Sequence, residues 1–113
     1  MRKAAQYLRM STDKQHYSLE AQKAAIGTYA ENEGFEIIAT YQDEARSGVT
    51  IARRDGLQTL LRDVLSGAPF ATILVFDVSR WGRYQNPDQA AHYEFICLEA
   101  GVDIRYCADG ISH

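Results

Sequence analysis

The segment Thr72–Val78, reading Thr-Ile-Leu-Val-Phe-Asp-Val, constrains this chain more than any other stretch. It is a nearly continuous apolar run. Such a run is expected of a central strand in a parallel sheet, where both faces are covered. Parallel neighbours need crossover connections, usually helices, so the flanking sequence should alternate between strand and helix patterns.

It does. Ala4–Leu8 reads as a first strand, followed by a polar loop from Ser11 to Ser18. Ser18 suits an N-cap, and Leu19, Gln22, Ala25, Ile26, Tyr29 and Ala30 recur at helical spacing until Gly34 stops the helix. Phe35–Tyr41 is β-rich, and Gln42–Arg54 reads as a long loop of the kind that often carries function. Leu57, Leu60, Leu61, Val64 and Leu65 form the apolar stripe of a second helix that ends near Gly67-Ala68-Pro69. After Thr72–Val78 comes a polar loop, Ser79–Gln85. Asn86-Pro87 then opens a third helix, which runs to about Ala100 and is ended by Gly101. Val102–Cys107 is a further strand. The β-α-β-α-β-α-β order predicts one α/β domain with a mostly parallel sheet and no internal repeat.

Charge narrows the function. The net charge of 113 residues is −3, which argues against a protein that grips nucleic acid by bulk charge. Nine of the twelve basic residues are arginine, however, and the guanidinium fork suits bidentate phosphate contacts. Two cysteines, Cys97 and Cys107, make no disulfide framework. They read as a core residue of the third helix and a strand-end residue. His16, His92 and His113 have no zinc spacing, and no glycine-rich phosphate loop is present. No metal or cofactor is expected. The N-terminus has no signal-peptide pattern and no apolar run is long enough to span a membrane, so a cytoplasmic location is expected.

In open α/β sheets, ligands bind beyond the carboxyl ends of the strands. The segments predicted there hold Arg9, Ser11, Arg46, Arg53, Arg54, Arg80 and Arg83. A serine hydroxyl and several guanidinium groups on one edge make a phosphoryl-transfer site: the hydroxyl attacks phosphorus in line and the arginines hold the non-bridging oxygens. Taken singly, each residue has an ordinary explanation. A lone Arg or Ser on a loop is ordinarily solvated surface, Ser79 equally suits a turn cap, and Trp81 suits packing.

Five motifs in order resemble the catalytic domain of the serine recombinases, the group of resolvases, invertases and large serine integrases. Tyr7-Leu8-Arg9-Met10-Ser11-Thr12 is similar to the nucleophile motif of that family, and Gln15 and Gln22 to its two downstream glutamines. Asp43 with Ser47-Gly48 resembles its Asp…Ser-Gly loop, and Arg54-Asp55-Gly56-Leu57 its Arg-x-Gly helix start. Ser79-Arg80-Trp81-Gly82-Arg83 resembles its Asp/Ser-Arg-x-x-Arg motif.

The resemblance implies a resolvase-like fold: three-layer α/β/α, with a mostly parallel four- to five-stranded sheet of flavodoxin-like topology. It implies that Ser11 attacks a DNA phosphodiester to give a 5′-phosphoserine ester, which is later religated without metal or ATP. Arg9, Arg80 and Arg83 would contact the scissile phosphate, with Arg54 in support. Gln15, Gln22 and Asp43 would position these groups, and Tyr7 would orient the nucleophile strand. Ser79 stands where many small resolvases carry Asp, which leaves protonation of the leaving group to an arginine or water. The Ser11-to-Gln22 spacing is longer than in small resolvases and leans toward the large or transposon-type branch. The family implies double-stranded DNA as partner, and a homodimer that assembles to a tetramer, in a full-length protein. There a long helix and a DNA-binding domain follow the segment Asp109-Gly110-Ile111-Ser112; the chain is expected to be the catalytic fragment. The competing reading is an inactive regulatory or protein-interaction domain on the same fold. Retention of Ser11 with Arg9, Arg54, Arg80 and Arg83 speaks against it.

Overall fold

The computed structural model describes residues 2–9, 19–43, 55–77, 81 and 87–110. These form strand β1 (Arg2–Arg9), helix α1 (Leu19–Glu33), strand β2 (Phe35–Asp43), helix α2 (Asp55–Leu65), strand β3 (Thr72–Val75), helix α3 (Pro87–Glu99), strand β4 (Asp103–Tyr106) and the short helix α4 (Cys107–Gly110). The sheet has the order β2-β1-β3-β4, with every neighbouring pair parallel. This is the expected doubly wound arrangement. The chain leaves β1 toward one edge and, after β2, crosses to the other side, so the switch point lies between β1 and β3.

Three layers follow from how the strands distribute their side chains. Ala4 and Leu8 of β1 and Leu74 of β3 pack with Ile26 and Ala30 of α1, together with Phe35 and Cys107. Ala5 and Tyr7 of β1 and Ile73 and Val75 of β3 face the other way, onto Leu57, Leu60, Leu61 and Val64 of α2 and Ala90 and Cys97 of α3. Alternate residues of one strand serve opposite cores, which is why β1 and β3 read as apolar throughout. Each fully buried leucine on these faces contributes about 1.5–3 kcal/mol.

Strand β2 contains an irregularity that decides where its end points. Arg2, Lys3 and Ala4 pair with Phe35, Glu36 and Ile37, but Ala5 pairs with Ala39, so Ile38 is an extra residue. Phe35 and Ile37 accordingly belong to the α1 face, whereas Ala39 and Tyr41 belong to the α2 face. In a regular strand all four would share one side; one inserted residue reverses the remainder. Asp43, paired with Arg9, follows Tyr41 onto the α2 face.

The sequence expectations hold with local corrections. Gln42 and Asp43 are not loop, because pairing with Leu8 and Arg9 extends β2 through them. Strand β3 stops at Val75 rather than Val78; the Phe76 carbonyl instead accepts the N–H of Ala108, 2.8 Å away. Cys107 opens α4 instead of closing a strand. Leu65, counted in the apolar stripe of α2, is 66% exposed because it is the last residue of the helix, where the chain turns away at Ser66 and Gly67. Gly34 and Gly101 end α1 and α3 with φ of 80° and 84°, a conformation that a side chain strains. The caps expected at Ser18 and Asn86 lie outside the described residues. Among the described residues, no helix is long and apolar enough to cross a membrane.

Candidate active site

Four of the residues singled out from the sequence lie at the carboxyl ends of β1 and β2 or against them. Tyr7 and Arg9 are near and at the end of β1, and Asp43 ends β2. Gln22 sits in the first turns of α1 and is fully buried.

Asp43 is the junction. Its Oδ2 accepts the Tyr7 hydroxyl at 2.7 Å and the Leu57 N–H at 3.0 Å, and its Oδ1 accepts the Gly56 N–H at 2.7 Å. Gly56 and Leu57 open α2, so their amides have no carbonyl within the helix to bond. A carboxylate from another strand satisfies them and sits at the positive end of the helix dipole. The approach requires a glycine. A Cβ at position 56 would overlap the Gln42 carbonyl oxygen and lie 2.8 Å from its carbon. The Arg-x-Gly helix start thus has a steric origin: α2 begins against the backbone of β2.

Gln22 does for Arg9 what a strand partner would do. Its Oε1 accepts the Arg9 N–H at 3.3 Å, and its Nε2 donates to the Arg9 carbonyl at 3.0 Å. The main chain two residues before Ser11 is thereby held by both its donor and its acceptor. A buried glutamine amide is tolerated because both of its ends are bonded.

Trp81 suits packing by its sequence, and packing is where the structure puts it. It is fully buried, its Nε1–H donates to the Ala90 carbonyl at 3.0 Å, and its ring meets that of Tyr7 edge-on, with centroids 6.1 Å apart and planes at 85°. Its contact with Tyr7 is a link that sequence reasoning missed. The available signal was its place between Arg80 and Arg83.

Ser11, Gln15, Arg54, Ser79, Arg80 and Arg83 lie outside the described residues. What the structure brings together is the frame: Tyr7, Asp43, Arg9, Gln22 and the start of α2. The cysteines take no part. Burial pushes the Cys97 thiol up to about 11, helped by the nearby Glu94 charge, and burial alone pushes Cys107 up to about 12. Neither is a nucleophile near neutral pH.

The sequence matches the family "Resolvase, N terminal domain" over residues 4–113. The fold is similar to the N-terminal catalytic domain of TP901-1 integrase, with 26% identity and a TM-score of 0.81, covering 96% of this chain and 78% of that one. It is also similar to a resolvase family site-specific recombinase from Streptococcus pneumoniae, with 30% identity, a TM-score of 0.80 and coverage of 97% and 74%. A third similar structure is the catalytic domain of ISC1926 TnpA, an IS607-like serine recombinase, with 27% identity, a TM-score of 0.75 and coverage of 93% and 67%. A search among curated proteins finds no match. A Resolvase match across all but the first three residues, on a four-stranded parallel fold shared with recombinase catalytic domains, makes this chain a member of the resolvase family of serine recombinases.

Proposed function

We propose that this chain is the catalytic domain of a site-specific DNA recombinase and that Ser11 is its nucleophile. The Ser11 Oγ attacks the phosphorus of a DNA phosphodiester. A bond from Oγ to phosphorus forms, and the bond from phosphorus to the 3′ oxygen breaks. The serine hydroxyl gives up its proton, and the departing oxygen gains one to become a 3′-hydroxyl. The product is a 5′-phosphoserine ester that keeps the energy of the original diester, so attack by a 3′-hydroxyl on a new strand reseals DNA without ATP. Arg9, Arg80, Arg83 and Arg54 supply the positive charge that this phosphoryl transfer requires. Gln15, Gln22, Asp43, Tyr7 and Ser79 position them.

The observation that carries this reading is the convergence of Tyr7, Arg9, Gln22 and Asp43, from three separate elements, at the carboxyl ends of β1 and β2. Ser11 follows Arg9 by two residues in a sequence of the resolvase family. The partner is double-stranded DNA. The net charge of −3 leaves bulk affinity to other contacts, and the arginines serve chemistry rather than grip. Assembly through a dimer to a tetramer in the native protein belongs to the same reading.

Covalent trapping tests it. The native protein is incubated with DNA nicked beside its crossover site, so that cleavage cannot reverse, and is then denatured and resolved from free DNA. A protein–DNA adduct with phosphate on the Ser11 peptide is expected. An adduct that persists in Ser11→Ala would refute the assignment, and no adduct from the wild type would favour the inactive regulatory domain.

A further inference from the structure

We propose that Trp81 is a positioning residue for the arginines of the Ser79–Arg83 segment, a role that rests on the recombinase reading above. Trp81 does not itself reach a substrate, because it is fully buried. It touches two parts of the frame at once. Through its ring edge it meets Tyr7 of β1, whose hydroxyl is bonded to Asp43. Through its N–H it is bonded to Ala90, in the first turn of α3 and also fully buried. The indole therefore braces β1 against α3 across the switch point of the sheet. Arg80 is its neighbour in the chain, and Arg83 is two residues on. Tyr7 precedes Ser11 by four residues on the other side of the brace.

A phosphoryl-transfer site needs this kind of bracing. Long guanidinium side chains stabilise a transition state only if their backbone is held in register with the nucleophile, and a misplacement of about 1 Å costs about 100-fold in rate. Packing alone would ask only for an apolar ring at position 81. The directed bond to Ala90 and the edge contact with Tyr7 add orientation, and it is orientation that the rate should sense.

Two replacements separate these roles. Trp81→Phe keeps a ring for Tyr7 and loses the N–H donor. Replacing Trp81 with benzothienylalanine keeps the full bicyclic shape and loses only the N–H, so that variant should fold even if Trp81→Phe does not. The single-turnover rate of Ser11 adduct formation is measured at saturating nicked DNA, beside DNA affinity and the denaturation midpoint. The expected result is a rate lowered by about tenfold or more, with affinity unchanged and the folded fraction still complete. A rate equal to wild type in both variants overturns the positioning role alone. So does a loss that merely tracks the unfolded fraction. If the wild type forms no Ser11 adduct, the recombinase reading fails and the positioning role fails with it.

Discussion

The Tyr7 hydroxyl donates to Asp43 Oδ2 at 2.7 Å, joining the second strand from the sheet edge to the edge strand beside it. The same carboxylate caps α2 through Gly56 and Leu57. One side chain therefore ties the end of β1, the end of β2 and the helix that Arg54 precedes.

Asp43→Ala should lower stability by about 1–3 kcal/mol, because it leaves the Tyr7 hydroxyl and two helix-start amides without their acceptor. Asp43→Asn, which retains one carbonyl oxygen, should lose less. Urea unfolding of the purified domain measures both. An unchanged midpoint for Asp43→Ala would mean that the cap does not hold α2.

Gly56→Ala reverses the usual rule. Within a helix, alanine is favoured over glycine by about 0.5–1 kcal/mol. Here the new methyl meets the Gln42 main chain, so α2 must back away from β2 and its bonds to Asp43 stretch. A net destabilisation of about 1–3 kcal/mol is expected from the overlap. A stabilised variant in the same urea assay would contradict the close approach.

Deleting Ile38 should cost little more than altering it. The residue is 38% exposed, so Ile38→Ser should shift stability by less than about 1 kcal/mol. Removing it takes out only the extra residue: Ile37 keeps its pairing with Ala4 and Ala39 with Ala5, strict alternation returns, and Tyr41 and Asp43 stay on the α2 face beside their partners. Cooperative unfolding, followed by near-ultraviolet circular dichroism, should therefore survive the deletion; its loss would mean that Ile38 is not the extra residue of β2.

Tyr41 should be a late-titrating phenol. Burial, the 2.5 Å bond to Asp63 and the charge of that carboxylate push it from 10.0 up to about 12. The unfolded chain ionises first, so the stability linked to this group is intact below pH 10 and declines as pH rises toward 12. Absorbance titration should show a tyrosine ionising near 12 that vanishes in Tyr41→Phe. In Asp63→Asn it should move only part of the way back, since burial makes the larger contribution.

Much of the fold was legible because it is written in local patterns. The apolar run from Thr72, the stripe Leu57, Leu60, Leu61 and Val64, and the glycines at 34 and 101 each report their environment through spacing. The site was legible only as a set of residue types on strand ends. Asp43 bonds amides thirteen and fourteen positions away, and Gln22 reads within its helix as one more inward position. The turn of β2 at Ile38 leaves no trace in a stretch that looks like ordinary strand. Such features depend on which segments meet in space, and periodicity does not encode that. Leu65 failed for a related reason: a stripe does not say where the helix will stop.

Trp81 is the single tryptophan of the chain. The tryptophan fluorescence of this domain is therefore the emission of one indole, buried between β1 and α3. Any event that loosens that contact would expose the ring to water and shift its emission to the red. This domain carries its own optical gauge at the segment that holds Arg80 and Arg83, with no label to attach.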